Sequence, residues 1–229
     1  MSREPDGAGH YESVLGLLVV GYLASALVPN GGVSVLTVVV YAAALGLAIR
    51  AARLPGSRAL TLRIVLVLGS VGTLLVLVLA PQSGIRATTA LWLALVLGAT
   101  VVLVVRHVLR HRVVTLQTIA GALSAYMLIG LMFAEIYTAM SRLGQEPFFA
   151  GAQPADPATV QYFSFTTLTT LGYGDFTATH NAGRAVAVLE ALVGQIFLAT
   201  LIARLVSNFV PRAPHDAPDD RGPDRPGLP

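Results

Sequence analysis

Long apolar runs alternate with short polar breaks along most of this chain. Runs at residues 14–28, 33–49, 64–80, 87–105, 116–134 and 185–203 carry almost no charge. A helix of roughly 20 apolar residues crosses a bilayer core about 30 Å thick, so each run predicts a membrane-spanning helix. The first run is short and is expected to extend through Tyr11, whose ring suits the membrane interface. Pro29, Asn30, Gly31 and Gly32 predict a tight turn that makes the first two runs an antiparallel hairpin. The pattern breaks between the fifth and sixth runs. There Asp156 and Pro157 mark a helix start, a capping side chain followed by a residue with fixed φ. A helix over residues 157–169 follows, too short to cross, and then the sequence TTLTTLGYGDF at 166–176.

Composition strengthens this reading. The chain of 229 residues is 55% hydrophobic and 12% charged, which excludes an ordinary soluble domain. Residues 15–23 followed by Ala24, Ser25 and Ala26 resemble the core and cleavage site of a secretory signal. The preceding stretch sets Arg3 against Glu4, Asp6 and Glu12, whereas a signal needs a positive leader, so a retained span is expected. Every basic residue except histidine is Arg, a hint of a GC-rich bacterial genome, and no Asp or Glu occurs over residues 13–134. Arg50, Arg53, Arg58 and Arg63 lie between the second and third runs, and Arg106, Arg110 and Arg112 between the fourth and fifth. The alternate loops hold fewer arginines, so both termini are expected on the cytoplasmic side of a multi-pass protein of the cytoplasmic (inner) membrane. The arginines flank apolar runs and form no single basic patch, which argues for lipid contact and against nucleic acid. The stretch 211–229, rich in Pro, Asp and Arg, is expected to be a disordered cytoplasmic tail.

A chain that enters the membrane as a short helix must return. Non-helical backbone at that depth is tolerated only where it is buried in protein or lines a watery path. Consecutive carbonyls that point one way can replace the water shell of a cation, and this needs alternating backbone conformations, some with φ > 0, which glycine adopts cheaply. Gly172 and Gly174 fit that need, and the Thr170 hydroxyl adds an oxygen below the carbonyls.

The stretch TTLGYGD at residues 169–175 resembles the selectivity filter of the potassium channels. YFSFTTLTT before it is similar to that family's pore helix, and residues 183–206 to its inner helix, with Gly194 at a hinge position. The resemblance implies an all-α membrane protein with six transmembrane helices and a re-entrant pore helix and filter between helices five and six. It implies a four-helix domain over 1–112 and a pore domain over 113–210. Potassium ions would sit at Thr170, Leu171, Gly172 and Tyr173, with Gly174 completing the filter and Asp175 forming an acidic outer mouth. Tyr173 would wedge against the pore helix. One filter strand cannot enclose an ion, so a homotetramer follows. The chain is then a potassium-selective channel, not an enzyme, with no cofactor beyond permeant K+, no small-molecule substrate and only lipids and its own copies as partners. A transporter subunit or a non-conducting potassium sensor are the competing classes.

Some relatives brace the filter Asp with a pore-helix Glu. Thr166 stands at that place here, so support is expected from elsewhere, with Tyr162 a candidate. Leu198, Ile202 and Val206 form one helical stripe that either lines the pore as a gate or packs on the fifth span. Glu190 either hydrogen-bonds a pore-helix hydroxyl (Ser164, Thr166 or Thr167) or is a structural protonated carboxyl. Glu135 reads as interfacial and His180 as a loop histidine at the outer mouth. Arg106 to Arg112, with His107 and His111, reads as an interfacial linker that contacts headgroups or senses pH. Steep voltage sensing takes about three to four gating charges per subunit, and residues 90–105 hold none, so weak voltage dependence is expected.

Overall fold

In a computed structural model, the structure describes residues 10–27, 83–110 and 115–209, together with single helical positions at 40, 42, 43, 46 and 69. Five α-helices carry it: α1 (His10–Leu27), α2 (Ser83–Arg110), α3 (Leu116–Leu143), α4 (Pro157–Leu168) and α5 (Asn181–Phe209). Among the described residues there is no β-strand, only one antiparallel bridge that pairs Phe149 with Ala178. Among the described residues three helices are long and apolar enough to cross a membrane, over Ala87–Arg106, Leu116–Leu143 and Asn181–Ser207. α1 is a shorter apolar helix. The expected second and third spans lie outside the described residues apart from those single positions, and so does the tail over 211–229.

The helices run past the apolar windows that predict them. α3 was expected to stop near Ala134 and continues to Leu143, because residues 135–143 hold no Gly or Pro to end it. It begins at Thr115, whose side chain accepts the Thr118 backbone N–H while the Thr118 hydroxyl accepts that of Thr115. α2 likewise runs through Arg110, and Arg106 lies on its closing turns. The first part of the stretch expected as an interfacial linker is thus helical and continuous with α2, since an apolar helix with no breaker has no reason to stop at its first arginine. The side chain of His107, and His111 and Arg112 entirely, lie outside the described residues.

α1 and α2 pack on α3 through one hydrophobic core. Tyr11, Val14 and Leu18 of α1 meet Leu97, Val104 and Val108 of α2 and Ala122, Ala125 and Leu128 of α3. Glycines let the helices approach as small residues do in membranes. A Cβ on Gly121 would lie 2.9 Å from Val108, and one on Gly98 3.2 Å from Met132, which fixes α2 and α3 as antiparallel. The core therefore runs across residue 112. It also reaches the short helix α4, because Tyr22 of α1 meets Phe165 edge-on with ring centroids 4.9 Å apart.

Candidate functional site

α4 is anchored at its N-terminal end by its own sequence. Asp156 caps it, accepting the Thr159 N–H at 3.0 Å and the Thr159 hydroxyl at 2.7 Å, and Pro157 opens the first turn. Burial raises the Asp156 pKa, but the hydrogen bonds from Thr159 and Ala158 outweigh it and hold the carboxyl below its usual value. This depressed value means the stabilisation is full at neutral pH and is lost as pH falls through the folded-state pKa. Asp156→Ala should cost about 1 kcal/mol per chain and flatten the acid side of the stability profile. Thermal unfolding followed from neutral to acidic pH reads both effects, and Asp156→Asn should keep most of the cap.

At its C-terminal end α4 hands over to an extended segment, a strand without sheet partners. The Thr169 N–H donates to the Phe165 carbonyl at 3.1 Å, the Thr170 N–H to Thr167 at 2.9 Å and the Gly172 N–H to Thr166 at 3.1 Å. Positive φ then falls on every second residue: Thr170 at 57°, Gly172 at 49° and Gly174 at 80°. Leu171 and Tyr173 between them do not share it. This is the alternation expected of a strand whose carbonyls face one way. Two of the three positions are glycine, for which positive φ carries no Cβ penalty. Thr170 is β-branched and adopts the same region at a cost, of order 1–3 kcal/mol, that surrounding contacts must meet.

One such contact comes from a residue the sequence reading passed over. Gln195 of α5 donates its side-chain N–H to the Thr170 hydroxyl at 3.2 Å. Tyr126 of α3, also passed over, donates to the Leu168 carbonyl at 3.1 Å, at the last turn of α4. Gly194 was expected as a hinge. α5 runs unbroken through it, and here its bare Cα lets α5 close on Leu168, whose carbonyl a Cβ would overlap.

Tyr162 and Tyr173 lie face to face, with rings 5° from parallel and centroids 6.5 Å apart. The Asp175 carboxylate interacts with the Tyr162 hydroxyl. Asp175 also accepts the Phe176 N–H at 3.1 Å. Tyr162 thus touches the strand at two places. Thr166 does not support it through its side chain, which turns back to donate to the Phe163 carbonyl at 3.0 Å. Thr166 reaches the strand through its backbone carbonyl, which accepts the Gly172 N–H, because a threonine in a helix can satisfy its hydroxyl within its own turn.

The loop between α3 and α4 is stapled to the segment after the strand. The Ala150 N–H donates to Thr177 and the Thr179 N–H to Phe148, both at 2.9 Å. Phe148 and Phe149 pack with Phe163, Tyr137 and Phe176, filling the space behind the strand. Arg184 donates to the Ala178 carbonyl at 3.0 Å, and His180 meets Phe148 edge-on.

Glu190 of α5 is fully buried behind α4. Tyr137 donates to one of its oxygens at 2.6 Å, and the other lies 2.5 Å from the Ser164 hydroxyl. Of the three hydroxyls expected near it, Ser164 is the one the structure brings there. Glu135 is half-buried on α3. On the C-terminal half of α5, Leu198 is half-buried while Ile202 and Val206 are exposed.

Residues 122–210 match the family model described as "Ion channel". The match covers α3 from its second turn, the loop after it, α4, the strand and α5. No curated protein and no solved structure matches the chain.

Proposed function

We propose that this chain is the subunit of a potassium-selective channel, in which four copies set their 170–174 strands around a common axis. The observation that carries the reading is the alternating backbone of Thr170, Gly172 and Gly174. That conformation, held between a short helix and an inner helix, suits rings of carbonyl oxygen that stand in for an ion's water. K+ would bind at Thr170, Leu171, Gly172 and Tyr173, and the Asp175 carboxylates would concentrate cations at the outer mouth. The ion-channel family match over residues 122–210 supports the class of function.

Assembly is supported by the surface of α5. Only 11% of its apolar window is buried within the chain, against 61% for α3. Val188, Leu192, Ile196, Ile202 and Val206 are all exposed, more apolar side chains than a helix lining water alone would present. Copies of the chain and lipid cover this face, and the stripe of Leu198, Ile202 and Val206 serves as the inner constriction. The arginine-rich loops support an orientation with both termini in the cytoplasm and the filter mouth outside. No cofactor, catalytic chemistry or nucleic acid enters this function, and voltage dependence is weak.

The test is flux from proteoliposomes under imposed K+ or Na+ gradients. K+ should exceed Na+ by at least about tenfold, equivalent to ~1.4 kcal/mol of discrimination. Equal K+ and Na+ flux defeats the potassium reading. Saturating flux at low turnover points to a transporter subunit, and binding of K+ without flux to a sensor.

A further inference from the structure

Hydrogen-bond accounting around Glu190 leaves one proton missing. The Ser164 hydroxyl lies 2.7 Å from the Gly130 carbonyl and 2.5 Å from a Glu190 oxygen. A hydroxyl owns one proton, so it can donate to only one of them. The second Glu190 oxygen already accepts from Tyr137 at 2.6 Å. If Glu190 is a carboxylate, one of the two Ser164 contacts sets oxygen against oxygen with no hydrogen between them. If Glu190 is the neutral acid, every contact closes.

We propose that Glu190 carries a proton and donates it to Ser164, completing a chain from Tyr137 through Glu190 and Ser164 to the Gly130 carbonyl. The chain ties three helices together behind the filter strand: α3 by Tyr137 and Gly130, α4 by Ser164, and α5 by Glu190. It deepens the channel reading and rests on it for its effect on conduction, because Ser164 lies on the helix whose end fixes Thr170 and Gly172. Glu190 is a positioning residue: it acts on the filter through α4. Burial favours the same state, since a carboxylate with zero exposure and no cation in the chain of contacts is costly.

The titratable groups that face Glu190 are Tyr137 and Tyr126, both on α3. α4 faces it with Ser164, which does not titrate. Raising the pH passes the Glu190 proton to water or hydroxide. Ser164 then turns its single proton to the carboxylate, the stronger acceptor, and releases the Gly130 carbonyl. The link between α3 and α4 opens, and selective conduction falls on the alkaline side.

The experiment compares the full-length protein with Glu190→Gln and Glu190→Ala in lipid. The glutamine amide supplies a permanent donor to Ser164 and an oxygen for Tyr137, whereas alanine supplies neither. In infrared spectra at neutral pH, wild type minus Glu190→Gln should show the carbonyl band of a protonated carboxylic acid, fading as pH rises. In flux, Glu190→Ala should lose K+ over Na+ preference by about tenfold, and glutamine should rescue it. Glu190→Gln should also lack the alkaline decline of the wild type. A missing infrared band, or a glutamine variant as impaired as alanine, overturns the proposal. Wild-type vesicles that pass no K+ overturn the channel reading instead, while the infrared arm still decides the proton.

Discussion

Replacing Gly172 with alanine is expected to abolish potassium-selective flux while leaving the protein folded in the membrane. The reason is local. Gly172 holds φ at 49°, and a Cβ built there meets nothing within 4 Å in its own chain. The cost is therefore one of backbone preference: an L-residue pays about 1–2 kcal/mol per chain for the left-handed region. The strand can escape by turning the peptide over, which swings one carbonyl away from its neighbours. An ion that needs a full ring of oxygens then meets a gap. Size-exclusion of the detergent-solubilised variant should match the wild type, and K+ flux should fall to the level of empty vesicles. Unaltered K+ selectivity would remove the alternating strand from the mechanism.

Gly194→Ala is expected to be nearly as severe for a different reason. The alanine Cβ would overlap the Leu168 carbonyl and press on the Leu168 side chain at 2.9 Å. Because the obstruction is backbone, no rotamer relieves it, and α5 must back away from the end of α4. Overpacking of this kind costs about 1–3 kcal/mol per chain. The displaced carbonyl is the one Tyr126 holds, and Gln195 on the next residue loses its reach to Thr170. Gly16→Ala is the matched control, since a Cβ there meets nothing within 4 Å. The unfolding midpoint should drop for position 194 and stay unchanged for position 16. Equal midpoints for the two variants would show that α5 does not seat on Leu168.

The features legible in the sequence were those encoded by neighbours along the chain. Asp156 before Pro157 announces a helix start by itself, and glycines two apart announce a strand with unusual torsions. Apolar runs give the existence of helices, though not their ends: α3 outlasts its run because Glu135 and Arg142 do not break a helix. Contacts between distant segments were harder to foresee. Tyr126, Tyr137 and Gln195 are single polar groups in apolar helices, and only the packing shows which carbonyl or hydroxyl each one meets. A signal was present, since a tyrosine hydroxyl or an amide within a span needs a partner. Gly130 and Gly194 gave a similar signal, as small residues that mark close approach. For Glu190 the sequence supplied three candidate hydroxyls, and the turn of α4 selected Ser164 by aiming Thr166 at its own backbone.

The seating of α2 on α3 carries a mechanical consequence. Only residues 111–115 separate the two helices, and their glycines lock against Val108 and Met132. Sliding α2 by one helical turn, about 5.4 Å, would drag those side chains out of their notches. Among the described residues, Tyr22 of α1 against Phe165 and Tyr126 of α3 on the Leu168 carbonyl tie this block to α4, so a tilt of the block moves the end of α4 with it.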